Sequence, residues 1–140
     1  MKEYLNKSLS ELLGKWASEI PREGYSSSIQ LRTFQLYSRK LSTYKVDDLR
    51  FMIGQEYGLA YLIPIAIHYL EDDLLLEAGY YEGDLLSVVL KVPQSFWEEY
   101  QEQFSALYEL IGENIKSLDR LDPTFEADRG LRKRIEVFIS

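Results

Sequence analysis

Cysteine is absent from this 140-residue chain, and histidine occurs once, as His68. Without cysteine the chain can form neither disulfide bonds nor a zinc–thiolate site, and it has no thiol nucleophile. A metal site at His68 would need further strong ligands close by. We therefore expect no metal ion and no cofactor, and we expect His68 to pack at the surface or at a helix end.

Long apolar runs are also missing. The most apolar stretch, residues 59–67 (LAYLIPIAI), is far shorter than the roughly 20 residues that span a bilayer. The N-terminal sequence MKEYLNKSLSELL lacks the apolar segment of a signal peptide. Both absences predict a soluble, cytoplasmic protein without membrane contact, and the length predicts one domain over residues 1–140.

The motifs of common enzyme classes are absent as well. The chain has no glycine-rich phosphate loop and no nucleophile elbow. Paired carboxylates, Asp72 with Asp73 or Glu82 with Asp84, are the remaining candidates for general acid–base chemistry. Adjacent acids at a turn are common on protein surfaces, so we expect that the protein is not an enzyme.

Positive charge is scarce in one part of the chain. Residues 71–128 contain three Lys or Arg against fifteen Asp or Glu, a net charge of −12, whereas residues 1–70 carry +2 and residues 129–140 carry +3. Nucleic acid is a poor partner, because its phosphates would be repelled by the acidic part. A basic protein is a better one, because complementary fields raise association rates. The alternative is that the acidity only keeps the protein soluble.

The acidic residues form two concentrations. Three are consecutive at residues 71–73, and four recur on one side of a predicted helix over residues 96–118, opposite its apolar stripe. A solvated helix face usually mixes charges of both signs. These one-sided acids are therefore either a solvated face or a surface that recognises a basic partner. The seven acids are Glu71, Asp72, Asp73, Glu98, Glu102, Glu109 and Glu113.

The apolar pattern is helical. Val46, Leu49 and Met52 recur at helical spacing, and residues 59–67 must be buried nearly all round. Pro64 cannot donate to a sheet ladder, so we predict a helix that begins or kinks there and stops at residues 71–73. We expect an all-α, single compact domain of about five to seven helices. Its expected core contains Leu59, Leu62, Ile63, Ile67, Leu86, Leu90, Phe104, Leu107 and Ile111.

Several residues mark helix boundaries. Ser8 and Glu11 have the spacing of a capping box, and residues 95–98 (SFWE) repeat it at the start of the predicted long helix. Asp84 is expected to cap a helix by accepting the amide of Ser87, so that its loss would cost about 1 kcal/mol. Residues 129–140 form either a final helix or a short terminal strand.

Two features of the N-terminal part complete the prediction. Trp16 and Ile20 are expected to pack on the core. Arg32, Arg39 and Lys40 lie along or after a helix that serines 26–28 could cap. A solvated basic face is one interpretation of these three residues, and pairing with the acidic half is the other.

Residues 48–86 (DLRFMIGQEYGLAYLIPIAIHYLEDDLLLEAGYYEGDLL) resemble a family of small bacterial immunity proteins of contact-dependent growth inhibition systems. Members carry a segment like DLR-x-x-IGQ-x-x-GL-x-YL-x-P, then an acidic turn, then a Y-x-GDLL helix start. The chain departs from this pattern at Glu82, in place of a proline, and at residues 78–79, in place of Gly-Asp. The resemblance rests on Asp48, Leu49, Arg50, Ile53, Gly54, Gln55, Gly58, Leu59, Tyr61, Leu62, Pro64, Tyr81, Gly83 and Asp84.

The resemblance implies a cytosolic protein that binds and neutralises a toxin domain delivered by neighbouring cells. Together with the charge pattern it predicts that the toxin is a basic nuclease whose active site is occluded, because clefts that hold phosphates are basic. The expected toxin-binding residues are the seven acids above with Tyr80, Tyr81 and Glu82, since tyrosine is frequent in interface hot spots. The alternative is a helical adaptor of unrelated function.

Overall fold

The structure, a computed structural model, describes residues 2–14 and 28–140. Within these two ranges there are eight α-helices and no strand, so the prediction of an all-α fold is confirmed. Short 3₁₀ segments occupy Lys2–Tyr4, Leu41–Thr43 and Ile115–Arg120. The α-helices are α1 (Leu9–Leu13), α2 (Ser28–Tyr37), α3 (Val46–Gly54), α4 (Leu59–Asp72), α5 (Asp84–Leu90), α6 (Gln94–Glu99), α7 (Gln101–Glu113) and α8 (Glu126–Ile139). The expectations for Trp16, Ile20 and serines 26 and 27 lie outside the described residues.

Helix α5 lies at the centre of the packing. It contacts α3, α4 and α8, while α4 also packs against α3 and α7. Its apolar side chains Leu85, Leu86 and Val89 are fully buried, and so is Ser87, at 1% exposure. A short helix that is buried on nearly all sides has to be apolar all round, which explains the sequence DLLSVVL.

Helix α4 begins at Leu59, five residues before Pro64. The prediction that Pro64 could start this helix is therefore wrong. Pro64 lies in the second turn, where its missing N–H removes one intrahelical bond, yet Leu62, Ile63 and Ala66 around it are completely buried. Packing on both sides outweighs the lost hydrogen bond. The predicted end of the helix in the acidic turn is confirmed, at Asp72.

Gly58, just before α4, brings the N-terminal segment close to the core. Its backbone is left-handed, with φ +63°, and a Cβ built there would lie 2.6 Å from Leu9 Cδ2. Leu9 is fully buried at the start of α1. The predicted capping box of α1 is confirmed, because Glu11 N–H donates to Ser8 Oγ and Ser8 N–H donates to Glu11 Oε1.

The predicted long helix over residues 96–118 is wrong. The backbone breaks at Tyr100 (φ −114°, ψ 63°), which separates α6 from α7, and α7 gives way to a 3₁₀ segment after Glu113. The second capping box is also wrong, since Ser95 lies inside α6, whose N-cap is Pro93. The break allows the consecutive aromatics Phe96 and Trp97 both to be buried, at 7% and 4% exposure. It also raises the helix count above the expected five to seven.

The predicted core is confirmed as one cluster. Of the nine residues, Leu59, Leu90 and Phe104 are partly buried against it and the other six are buried. Residues 126–139 form a helix rather than a strand. Its Leu131 and Ile135 side chains point inward, at 0% and 1% exposure.

The arginines of the N-terminal part pair locally. Arg32 contacts Asp47 at 3.0 Å and Asp48 at 3.2 Å, and Arg39 lies 3.7 Å from Asp48. These acids belong to the first turn of α3, not to the acidic half of the chain. The pairs hold α2 against α3, where the acids also suit the positive end of the helix dipole.

Replacing Gly58 by alanine should destabilise the fold. The left-handed backbone alone costs about 1–2 kcal/mol for a residue with a Cβ, and the contact with Leu9 adds to this. Gly112 is the matched control, because it lies in α7 and a Cβ there meets nothing within 4 Å. Gly112→Ala should stabilise the protein by about 0.5–1 kcal/mol. Urea denaturation of both variants measures the difference, and equal effects would contradict this account of Gly58.

Candidate protein-binding surface

The loop between α4 and α5, residues 73–83, is built like part of the core. Leu74, Leu75 and Ala78 are 1–2% exposed, and Gly83 N–H donates to the Leu75 carbonyl at 3.0 Å. Asp73 Oδ1 accepts the Leu75 amide at 3.1 Å. The loop therefore presents its remaining side chains from a fixed base.

Asp84 has a different role from the predicted one. Its carboxylate is 2% exposed and accepts the amides of Ala78 at 2.6 Å and Tyr80 at 2.9 Å, with the Tyr81 amide at 3.5 Å. The Ser87 amide bonds instead to the carbonyl of Gly83, which is the N-cap residue. The prediction of a side-chain cap is wrong because the loop amides, which no helix satisfies, hold the carboxylate.

Tyr80 projects from this loop. Its side chain is 71% exposed, and its ring lies under the Arg50 guanidinium, with Cζ 4.2 Å from the ring centroid. Arg50 is held in turn by Asp47 at 2.9 Å. Tyr80 is therefore an exposed aromatic side chain whose backbone and ring are both held in place, whereas Tyr81 is half-buried.

Asp47 sits between two arginines. Partial burial is the largest single influence on its carboxyl group and raises the pKa. Hydrogen bonds and charges of Arg50 and Arg32 together outweigh burial, so the pKa of Asp47 lies below its usual value. Asp47 thus stays charged and holds the Arg50 guanidinium against Tyr80 and the Arg32 guanidinium over Phe51.

Arg120 pairs with two of the predicted binding acids. It contacts Asp73 at 3.2 Å and forms a second ion pair with Glu82. Arg120 therefore offsets part of the negative charge of these two acids. Glu82 pairs with Arg120, whereas Asp84 accepts the loop amides. The two carboxylates therefore do not form an acid–base pair with each other.

A cleft between α4 and α7 brings the two acidic concentrations together. It has a volume of about 530 Å³, and Glu71 lies on one side with Glu109 and Glu113 on the other. Ile67, Ala106, Leu110 and Asn114 complete its lining. Glu71 lies 3.8 Å from Nδ1 of His68, whose side chain is 66% exposed near the end of α4, which confirms the expected place of His68.

The remaining predicted acids lie elsewhere. Glu102 shares the exposed side of α7 with Glu109 and Glu113, but Glu98 is on α6, beyond the break at Tyr100. Asp72 is exposed at the end of α4 and forms no ion pair with any described residue. The four-residue stripe is therefore not continuous, and Glu98 does not belong to the cleft.

Sequence reasoning missed two arginines that shape this surface. In the sequence Arg50 stands out only as part of the DLR motif. The signal that could have identified it is the tyrosine-rich loop, because a guanidinium stacks on tyrosine rings. Arg120 is one of three basic residues among the fifteen acids of residues 71–128. That isolation could have suggested an internal ion pair.

The described residues contain neither a candidate metal site nor a candidate membrane-spanning helix. In residues 2–14 and 28–140 no group of three or more His, Cys, Asp or Glu side chains is placed to hold a metal ion. Among the helices in these ranges none is long and apolar enough to cross a membrane.

Comparison with known families identifies the chain. The sequence profile of the CDI immunity proteins matches residues 14–107, more than half of the chain. The protein belongs to the CDI immunity proteins. The match includes α3, α4, α5 and the loop that carries Tyr80. No curated protein and no solved structure matches the chain. Family membership implies that this immunity protein neutralises a toxin and that its partner is the toxin protein. Proteins of this family are generally non-enzymatic.

Replacing Asp84 by alanine should weaken this immunity protein far more than loss of a cap would. The amides of Ala78 and Tyr80 would lose their acceptor inside the protein, which should lower the free energy of unfolding by about 3 kcal/mol. Asp72→Ala removes an exposed carboxylate from the same region and should change it by less than about 0.5 kcal/mol. Chemical denaturation checks both values. A cost near 1 kcal/mol for Asp84→Ala would indicate that the loop does not depend on its carboxylate.

Proposed function

We propose that this immunity protein neutralises a basic nuclease toxin by placing its acidic cleft and Tyr80 over the toxin's active site. The observation that carries the proposal is the meeting of Glu71, Glu109 and Glu113 in one cleft. None of these three carboxylates is paired with Lys or Arg in the described part of the chain. They are free to bind cations from another protein.

The chemistry of the cleft suits lysine and arginine side chains. Such side chains combine an aliphatic stem with a charged end, and the cleft offers the apolar wall of Ile67, Ala106 and Leu110 beside its carboxylates. A nuclease active site needs cations to hold phosphates. A protein that binds those cations competes directly with the nucleic acid substrate. Because nucleic acid substrates are cytoplasmic, we place the encounter with the toxin in the cytoplasm.

Tyr80 supplies a different contribution. Aromatic residues at interfaces bind most strongly when they are ordered before the partner arrives, because less conformational entropy is lost on binding. The hydrogen bond from its amide to Asp84 and the stacked Arg50 guanidinium provide this order. We therefore assign Tyr80 to an apolar pocket of the toxin.

Charge reversal of the cleft should slow association. The triple variant Glu71→Lys, Glu109→Lys and Glu113→Lys should lower the association rate constant with the cognate toxin domain at least about tenfold at low salt, because the steering field is reversed. The difference should shrink as salt is added. Stopped-flow mixing with the toxin domain encoded beside this protein measures both effects.

The matched control changes the same charge elsewhere. Glu99, Glu126 and Glu136 are exposed and do not line the cleft, so their reversal to lysine should slow association much less. Equal slowing by both triple variants would mean that only net charge matters. An acidic toxin domain, or an unchanged rate for the cleft variant, would rule out the proposed mechanism.

Removal of the Tyr80 ring should act mainly on dissociation. Tyr80→Ala should weaken toxin binding by about 2 kcal/mol, the scale of an interface hot spot, through a faster dissociation rate. Tyr108→Ala is the control, because Tyr108 is also exposed, at 46%, and does not line the cleft. Surface plasmon resonance separates the two rates. Similar losses in the two variants would argue against a specific pocket for Tyr80.

A further inference from the structure

A second groove, unlike the acidic cleft, lies between α8 and the segment that joins α5 to α7. It has a volume of about 520 Å³, and its floor is apolar and aromatic, formed by Trp97, Phe104 and Phe138. Volumes of this size are typical of sites for small organic ligands. Leu90, Val92 and Val137 extend the apolar lining.

The charged side chains that line this groove, Lys133 and Arg134, are both cationic. Arg134 donates to the Ser87 hydroxyl at 3.4 Å, which leaves its charge uncompensated. Neither cation forms an ion pair with a carboxylate in residues 2–14 and 28–140. In a chain with a formal charge of −7, two unpaired cations beside an aromatic floor are complementary to an anion that also has an apolar body.

The length of the groove and the position of its cations favour an elongated ligand with its charge at one end. The lining residues of α8 run from Gly130 to Phe138, which corresponds to about 12 Å at 1.5 Å per residue. The cations lie towards one end of this length, and Val137 and Phe138 lie further along. Gly130 has no side chain, so the Arg134 guanidinium lies close against the helix backbone there, where a Cβ would be 3.2 Å from Nη1.

We propose that this groove binds a linear anionic amphiphile, such as a medium-length fatty acid. The carboxylate would contact Arg134 and Lys133 through charge-assisted hydrogen bonds, and the aliphatic chain would lie over Phe104, Trp97 and Phe138. This site is separate from the acidic cleft, which is lined by other residues of α7. It does not depend on the identity of the toxin.

The test uses the intrinsic fluorescence of the groove. The chain has two tryptophans, Trp16 and Trp97, so a Trp16→Phe variant of the full chain makes Trp97 the single reporter. Sodium laurate, kept below its critical micelle concentration, should change this emission and saturate at one molecule per chain. Dodecyltrimethylammonium has a similar chain and the opposite charge, and it should bind at least tenfold more weakly.

Variants identify the cations. Lys133→Gln with Arg134→Gln should lower laurate affinity at least tenfold, with the circular dichroism spectrum unchanged. Arg129→Gln, which removes a charge from the same helix outside the groove, should leave affinity within twofold. If the double variant does not fold, Lys133→Gln alone should still lower affinity measurably.

Several results would overturn the proposal. These are the absence of saturable laurate binding, equal binding of the two amphiphiles, and unchanged affinity in the folded double variant. Sedimentation is run in parallel at the assay concentration. If the protein is dimeric at that concentration and the dimer binds no laurate, a second copy covers the groove and the proposal is wrong.

Discussion

Burial of the Asp84 carboxylate against the amides of Ala78 and Tyr80 fixes the path of the chain between α4 and α5. A buried charge is costly unless hydrogen bonds satisfy it, and the loop amides need acceptors that no helix provides. The carboxylate therefore accepts the hydrogen bonds that the loop amides need to donate. This contact sets the direction in which α5 leaves the loop and therefore the packing of α3, α4 and α8 around α5. It also sets the orientation of Tyr80.

The acids of this protein differ in what they can do, although they look alike in the sequence. Asp47 and Asp48 hold arginines of the N-terminal part, and Asp73 and Glu82 share Arg120. These pairs are partly exposed, so they contribute little stability individually. Their main effect is on the field outside the protein, because they offset part of the acidic charge, whereas the three carboxylates of the cleft have no Lys or Arg partner among the described residues.

Much of the fold was predictable because strong local signals agreed with the tertiary structure. The capping box of α1 and the buried run of α4 each follow from spacing, whereas the spacing in residues 129–140 left a helix and a strand equally open. The break at Tyr100 was not predictable, because the stripe from Phe96 to Ile111 keeps a helical period through it. We attribute the break to the burial of Trp97 beside Phe96. This burial depends on α8 and therefore on a distant part of the chain.

The candidate surface was predictable only in composition. Sequence spacing placed Glu109 and Glu113 on one side of a helix, but nothing in it brought Glu71 to the opposite wall of the same cleft. Glu98 lies apart from the other acids of the predicted stripe because the helix breaks at Tyr100. The role of Asp84 was missed because an acid at a helix start is usually a cap, and its burial beneath the loop depends on how the loop folds back.

Helix α7 separates two environments of opposite sign. Phe104 faces the groove with Arg134. Glu109 and Glu113 lie on the opposite side of the helix and face the acidic cleft. The two sides are about one helix diameter apart, 10–12 Å, close to the Debye length at physiological salt. The electrostatic coupling between the groove and the cleft is therefore weaker at physiological salt than in dilute buffer. A charge added on one side of α7 would have its larger effect on binding at the other side at low ionic strength.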